Sequence, residues 1–241
     1  VVILGANGTM GKNIAGIFAS FGAATVYLIS RSIEKSQKAV ADACGSVRAE
    51  SIKQRLVADD YTRLKEYVID ADLIFEACAE DRTIKKEIHS KVAGILAKHQ
   101  RKEKMICTGT SGLSITEIAE YYDPFYRQCV IGMHFFNPPY QMVLCEIIPT
   151  VYTNLEKFNE IIMYCKNILH RTTVVVKDSP AFLANRIGFY FINRAIQLAE
   201  EYKYSGGIDY IDAIFGPYTG RTMAPMITAN VVGLDVLKAI V

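Results

Sequence analysis

Cysteine pairs at metal-binding or redox spacing are absent from the sequence. The six cysteines form no CxxC pair, and most of them stand in apolar runs. This distribution argues against a zinc site and against a disulfide framework. We therefore expect no metal, and buried free thiols in a reducing compartment, which favours a cytoplasmic location. The cysteines are Cys44, Cys78, Cys107, Cys129, Cys145 and Cys165.

Strong net charge and long apolar runs are also lacking. The formal net charge is +2 over 241 residues, which by itself indicates neither a nucleic-acid nor a membrane partner. No apolar run is long enough to cross a bilayer. The chain starts inside a strand-like run without an initiator Met, so the lack of a targeting segment there excludes nothing.

Strand-like and helix-like segments alternate along the first part of the chain. This alternation predicts an α/β fold of the Rossmann type, a doubly wound, mainly parallel sheet with helices on both faces. The stretch after residue 43 is interpreted as a polar connection. Strands are expected at 1–4, 24–29, 72–77 and 104–108, and helices at 10–21, 33–43 and 83–98.

The pattern changes after residue 108. Two strand-like runs, 129–136 and 142–148, are separated by only five residues and are expected to pair antiparallel. A helix over 155–169 and a strand over 172–176 follow. Only helical segments come later, at 182–202, 208–215 and 223–239. We predict an NAD(P)-binding domain over 1–177 and an all-helical substrate and dimerisation domain over 178–241.

A glycine-rich turn joins the first predicted strand to the first predicted helix. Glycines at such a turn let the backbone approach a pyrophosphate, and the helix N-terminus supplies N–H donors. A plain strand-to-helix loop is the alternative, but the position in the first βα unit favours a dinucleotide. The glycines fit GxxGxxG and not GxGxxG. The candidate cofactor residues here are Gly5, Ala6, Gly8, Thr9, Met10 and Gly11.

The end of the second predicted strand bears on which dinucleotide binds. A carboxylate there would bind the ribose 2′-hydroxyl of NAD. This chain has Ser30 and Arg31 instead, and no carboxylate until Glu34. An arginine beside hydroxyls suits a 2′-phosphate, so the sequence favours NADP over NAD, with a merely exposed arginine as the alternative.

A histidine and a glutamate stand in the two runs that are expected to pair. Glu146 is the only charged residue of its apolar run, and a buried carboxylate is costly unless it is paired. If the runs pair around Tyr140, His134 and Glu146 lie opposite one another. Glu146 would then fix the tautomer of His134, whose other ring nitrogen would take a proton from a substrate hydroxyl.

Several segments together resemble the L-3-hydroxyacyl-CoA dehydrogenase family, in the family's order and across nearly the whole chain. The resemblance implies reversible oxidation of a 3-hydroxyacyl-CoA to the 3-oxoacyl-CoA, with NAD or NADP, by a homodimer. The matching segments are 75–80, 110–113, His134 to Pro139 with Glu146, Asp178 to Arg186, and Val232-Gly233-Leu234-Asp235.

The resemblance also implies a role for each matching residue. His134 would be the general base and Glu146 its orienting partner. Ser111 would hydrogen-bond the substrate oxygen, or alternatively cap the helix that follows. Asn185 would hold the substrate or nicotinamide region, or serve as a capping or interdomain contact. Two further residues are Asn137, a substrate-site residue or a turn residue, and Glu80, near the cofactor or an exposed helix-start carboxylate.

The chain departs from the family pattern in the glycine turn and at Ser30 and Arg31, described above, and in three further segments. The stretch between residues 43 and 59, where the family has a helical excursion that holds CoA, is short. The family's Asn-Thr-Ser-Ser is here Gly109-Thr110-Ser111-Gly112. The helical part ends soon after Asp235. Two other readings therefore stay open: a dehydrogenase of another 3-hydroxy acid without CoA, and an inactive nucleotide-binding homologue.

Overall fold

One twisted sheet organises the N-terminal part of the protein. The computed structural model describes residues 1–99, 102–234 and 237. Within them the sheet has eight strands in the order β3-β2-β1-β4-β5-β6-β7-β8. All neighbours are parallel except β6 and β7. The strands are β1 (Val2–Leu4), β2 (Val26–Ser30), β3 (Leu56–Asp60), β4 (Leu73–Glu76), β5 (Met105–Thr108), β6 (Val130–Phe135), β7 (Leu144–Pro149) and β8 (Thr172–Val175).

Helices connect the parallel strands. Four of them begin at side-chain caps, which are Asp81, Ser114, Asp123 and Asn154. Asp81, for example, accepts from the N–H of Ile84, and Asn154 accepts from the N–H of Glu156. A π-helical stretch, Tyr164–Ile168, follows α7. The helices are α1 (Thr9–Ser20), α2 (Ile33–Val47), α3 (Leu64–Asp70), α4 (Arg82–Ala97), α5 (Ile115–Ala119), α6 (Pro124–Arg127) and α7 (Leu155–Met163).

The central strands are buried on both faces, as a parallel sheet covered by helices requires. Val2, Ile3 and Leu4 of β1 are fully buried. Phe18 of α1 packs edge-on against Phe75 of β4 at 5.9 Å between ring centroids. All six cysteines are free thiols, and all but the half-buried Cys78 are buried. The predicted fold class and the predicted buried thiols are confirmed.

The interpretation of the stretch after residue 43 as a polar connection is wrong. Helix α2 continues to Val47, a 3-10 helix spans Glu50–Arg55, and β3 then pairs in parallel with β2. Only Leu56 and Asp59 of β3 are buried, because β3 lies at an edge of the sheet. The strand therefore lacks the apolar run that marks the central strands. The short helix α3 was also missed.

The chain divides into two compact units, Val1–Asp178 and Ser179–Val241, one residue from the predicted boundary. The second unit contains α8 (Ala184–Glu201), α9 (Gly207–Phe215) and α10 (Pro225–Val232). The motif residue Asp235 and the end of the helix predicted over 223–239 lie outside the described residues. Among the helices described, none is long and apolar enough to span a membrane.

Candidate active site

The predicted site residues of the first unit gather at one edge of the sheet. The parallel register brings the carboxyl ends of β1, β2, β4, β5 and β6 to this edge. The strands β2 and β3 are added on one side of β1, and the chain then crosses over so that β4 pairs with β1 on its other side. In such sheets, ligands bind where the strand order reverses, here between β1 and β4, in the crevice outside the carboxyl ends of the strands.

The glycine turn after β1 is closely packed at two positions. Gly5 has a φ of +78°, and a Cβ there would lie 2.9 Å from the carbonyl oxygen of Ala77. A Cβ on Gly11 would lie 2.6 Å from the carbonyl oxygen of Gly5. Both positions therefore exclude a side chain. At Gly8 a Cβ would make only ordinary contacts, the nearest at 3.4 Å.

The start of α1 fits the diphosphate of a dinucleotide. Gly8 is the N-cap residue, and within the described residues no side chain caps the helix and no acidic residue occupies its first turn. The first N–H groups and the positive end of the helix dipole are thus available to an anion. Thr9 is exposed and Met10 half-buried, whereas the Ala6 side chain is fully buried and can offer only its backbone.

Ser30 and Arg31, at the end of β2, have different surroundings. Ser30 is fully buried, and its hydroxyl accepts a 3.1 Å hydrogen bond from the N–H of Asn7 in the glycine turn. Arg31 is exposed. Ser30 therefore braces the turn, and Arg31 is the residue of the two with a side chain presented to solvent.

His134 and Glu146 lie directly opposite each other in the antiparallel pair of β6 and β7. Nδ1 of His134 is 2.8 Å from Oε2 of Glu146, and the two residues are 3% and 1% exposed. Phe136 packs edge-on against the imidazole at 4.6 Å. The facing arrangement predicted from the sequence is confirmed. An ionised Glu146 accepts only, so it selects the tautomer that carries its proton on Nδ1.

The two asparagines lie in different units. Asn137 is exposed at the start of the turn between β6 and β7, and its peptide bond to Pro138 is cis. The buried Arg171 donates to the carbonyl of Pro139 at 2.7 Å and so holds this turn. Asn185 belongs to the helical unit, where it is half-buried in the first turn of α8.

Ser111 lies in the loop between β5 and α5, which carries an extensive set of hydrogen bonds. Glu80 accepts from the N–H groups of Ser111 and Gly112 at 2.9 and 3.0 Å and from the hydroxyl of Thr110. The alternative in which Ser111 caps the next helix is wrong, because Ser114 caps α5. Glu80 is also exposed and stands just before α4, as its alternative as an exposed helix-start carboxylate requires, and the same carboxylate is bonded to the Ser111 loop.

The sequence did not lead us to predict a buried polar cluster that lies next to Glu80 and is centred on Glu76. Glu76, at the end of β4, is fully buried and accepts from Lys85 at 2.8 and 3.0 Å. Thr108 donates to the same carboxylate at 2.7 Å, and the imidazole of His89 lies 3.4 Å from it. Glu76 is a lone carboxylate ending an apolar strand, which is the signal that identified Glu146.

The pKa of Glu76 reflects competing effects of this cluster. Desolvation raises the pKa, but the hydrogen bond with His89 and the charge of Lys85 outweigh it and lower the pKa from 4.5 to about 2. Glu76 is thus held as a buried carboxylate at neutral pH.

Among the described residues, no three His, Cys, Asp or Glu side chains cluster in a way that would hold a metal ion.

The fold and the glycine turn define a dinucleotide-binding protein of the Rossmann class with a helical C-terminal unit. Residues 1–179 match the model of the 3-hydroxyacyl-CoA dehydrogenase NAD-binding domain, and residues 182–241 match that of the C-terminal domain. The chain therefore belongs to the 3-hydroxyacyl-CoA dehydrogenase family, a family of NAD-dependent oxidoreductases, and the predicted family is confirmed.

Individual relatives cover different shares of the chain. A 3-hydroxybutyryl-CoA dehydrogenase from Clostridioides difficile is 33% identical over 250 residues, which cover 97% of this chain and 83% of that protein. A probable 3-hydroxyacyl-CoA dehydrogenase from Bacillus subtilis is 35% identical over 178 residues, covering 73% of this chain. The chain spans only 21% of that relative.

A solved structure extends the similarity to three dimensions. The crystal structure of (S)-3-hydroxybutyryl-CoA dehydrogenase from Ralstonia eutropha superimposes with a TM-score of 0.85 at 29% identity. The superposition covers 99% of this chain and 84% of that one. The similarity therefore includes both units of the chain.

Proposed function

We propose that the protein interconverts 3-hydroxyacyl-CoA and 3-oxoacyl-CoA, with hydride transfer to or from NAD(P). The observation that carries this proposal is the buried His134–Glu146 pair at the sheet edge where the glycine turn also lies. A general base belongs next to the dinucleotide, because the hydroxyl proton and the hydride leave the same C–OH group.

His134 moves the proton in this scheme. Glu146 accepts from Nδ1–H, which directs the basic Nε2 toward the 3-hydroxyl group and stabilises the imidazolium formed when the proton is taken. In the reductive direction the imidazolium returns the proton to the 3-oxo oxygen. A bound nicotinamide would supply the hydride acceptor in the oxidative direction and the hydride donor in the reductive direction. Burial of the pair strengthens its interaction, because water does not screen it.

Other residues bind and orient the substrate. The hydroxyl of Ser111 donates to the substrate oxygen and stabilises the negative charge that develops there. Asn137 and Asn185 contribute amide groups to the substrate and nicotinamide regions. Glu80 contributes to the cofactor side through the loop it holds. The first unit is thus the NAD(P)-binding domain and the helical unit the substrate and dimerisation domain.

We propose NADP as the preferred cofactor, on the strength of Arg31. This exposed guanidinium follows β2, where a carboxylate would select the NAD ribose. The hydroxyl of Ser30 is engaged with the glycine turn, so Arg31 carries the preference. Titration with both cofactors tests it, and clearly tighter binding of NAD would refute it.

The activity is tested by following reduced-cofactor absorbance with acetoacetyl-CoA. We expect turnover by the wild type and none above background for His134→Gln, which still binds the cofactor. Glutamine keeps a similar size but cannot take up the proton. No wild-type turnover with either cofactor would refute the proposed activity, and surviving activity in the variant would refute the assigned base.

A second substrate class keeps the same chemistry without CoA. It is favoured by the short connection between α2 and β3, where a single 3-10 helix, Glu50–Arg55, stands in place of a longer excursion. Comparison of kcat/KM for acetoacetyl-CoA and free acetoacetate separates the two. A preference for the free acid would support this second class.

We also propose a cytoplasmic homodimer that assembles through the helical unit. Large side chains of this unit are exposed, including Tyr190 at 75% and Tyr218 at 91%. Such a surface is typical of an interface. Light scattering should give about twice the chain mass of 26.9 kDa, and a mass of one chain at micromolar concentration would refute the dimer.

A further inference from the structure

The loop that carries Ser111 is held by carboxylates at both of its ends. At its start, one oxygen of Glu80, Oε1, accepts from three successive residues: the Thr110 hydroxyl and the N–H groups of Ser111 and Gly112. Glu80 follows β4 and lies about thirty residues upstream, at a sequence separation of 31 from Ser111. The start of the loop is thus anchored by a distant element.

Asp178 holds the other end of the loop. Its Oδ1 accepts from the N–H of Ile115 at 3.0 Å, and its Oδ2 accepts from the Ser114 hydroxyl at 3.0 Å and the Thr116 N–H at 2.8 Å. These residues are the N-cap and the first two residues of α5. Asp178 is also the last residue of the first unit. Carboxylate acceptors make shorter and stronger hydrogen bonds than neutral ones.

Packing does little to hold the middle of this loop. Ser111 and Gly112 are only half-buried, and a Cβ built on Gly112 would meet no described atom within 4 Å. The position of the Ser111 backbone therefore depends on its hydrogen bonds. If Glu80 is removed, the N–H groups of Ser111 and Gly112 lose the carboxylate oxygen that accepts their hydrogen bonds.

Glu80 is itself oriented by a buried lysine. Nζ of Lys85 lies 3.5 Å from Oε2 of Glu80, and the same ammonium bonds both oxygens of the buried Glu76. Lys85 thus attracts one oxygen of Glu80 and leaves the other directed to the loop. A glutamine at position 80 would have to point its amide NH2 either at the Lys85 ammonium or at the loop donors, and both contacts are repulsive.

We propose that Glu80 and Asp178 are positioning residues that together fix the Ser111 loop in its active geometry. The inference rests on the proposed role of Ser111 as a donor to the substrate oxygen. Neither carboxylate has to touch the reacting atoms. Each acts through Ser111, whose hydroxyl is useful only when it is placed accurately at the oxygen where charge develops.

Glu80→Gln and Asp178→Asn test the proposal, with Glu87→Gln as the matched control. Glu87 lies on the exposed face of α4, 62% exposed, and pairs only with Lys91 among the described residues. We expect each test variant to lose about ten- to hundredfold in kcat/KM, since misplacing a group by about 1 Å costs up to about 10². The control should match the wild type. The cofactor affinity of Asp178→Asn should change less than about threefold, well below the tenfold that corresponds to 1.4 kcal/mol.

A double-mutant cycle with Ser111→Ala separates positioning from a general structural effect. If Glu80 acts through Ser111, Glu80→Gln should add little loss once the Ser111 hydroxyl is gone. Additive losses would overturn the proposal, as would an effect confined to cofactor affinity. Glu80→Asp, whose shorter carboxylate keeps the charge, should recover part of the activity.

Amide hydrogen exchange gives a readout that does not depend on activity. The amides of 111, 112, 115 and 116 should exchange faster in Glu80→Ala and Asp178→Ala, each at the end of the loop its carboxylate holds. Unchanged exchange in both variants would refute the proposal that Glu80 and Asp178 hold the loop, even if the enzyme is active. If the wild type shows no turnover but the amides still exchange faster in the two variants, Glu80 and Asp178 do hold the loop, and it is the proposed function that is refuted.

Discussion

Replacing Lys85 with methionine removes the main counter-charge of a fully buried carboxylate. The side chains of Glu76 and Lys85 are 0% and 2% exposed, and the ammonium bonds both carboxylate oxygens. Methionine keeps the apolar stem of lysine but leaves Glu76 with only neutral donors and His89. Removing one partner of a buried pair costs about 3–5 kcal/mol. The first unit should therefore melt roughly 6–20 °C lower, at about 2–4 °C per kcal/mol.

The pH dependence of this loss has a definite sign. The folded-state pKa of Glu76 is about 2, below the ordinary 4.5, so its ionised form stabilises the wild type above pH 4.5. That contribution declines as the pH falls from 4.5 toward 2. In Lys85→Met the folded-state pKa rises, because desolvation is less opposed. The difference in the free energy of unfolding between the variant and the wild type should be largest at neutral pH and should decrease as the pH is lowered.

Denaturant unfolding at several pH values measures the effect, and two further variants interpret it. Lys91→Met breaks an exposed pair on the same helix and should change stability by no more than about 0.5 kcal/mol. Glu76→Gln combined with Lys85→Met removes both charges and should recover more than half of the loss. A loss below about 1 kcal/mol for the single variant would refute the reasoning. A double variant as unstable as the single one would refute it too.

Three other predictions concern the glycine turn, the His134–Glu146 pair and the end of β2. Gly11→Ala places a Cβ 2.6 Å from the Gly5 carbonyl oxygen and should cost about 1–3 kcal/mol of stability. Gly8→Ala, which meets only ordinary contacts and loses only a favourable N-cap residue, should lower the melting temperature less in a thermal scan, and an equal loss in both variants would contradict the close packing at Gly11. Glu146→Gln keeps the size of the partner of His134 but lets it donate, so kcat should fall about 10²-fold or more at unchanged cofactor affinity, and an unchanged kcat in steady-state kinetics would contradict this role. Arg31→Ala should weaken NADP binding but not NAD binding in fluorescence titrations, and an equal effect on both would exclude a 2′-phosphate contact.

The sequence by itself determined most of the architecture of this protein. Apolar runs separated by helical periodicity mark β1, β4 and β5, because strands covered on both faces must be apolar throughout. The pairing of His134 with Glu146 was also accessible, since the two residues are only 12 apart around a short turn. Equal distance from the turn places residues of an antiparallel pair opposite each other.

Only the tertiary structure decided which carboxylates serve which backbone groups. Glu80 and Ser111 are 31 residues apart and Asp178 and Thr116 are 62 apart, so no local pattern links them. The edge strand β3 was not predicted for a related reason: its strand partner is the distant β2, and three of its five residues remain in contact with water. Periodicity records what a segment buries, whereas the partners of a buried polar group depend on how distant segments meet.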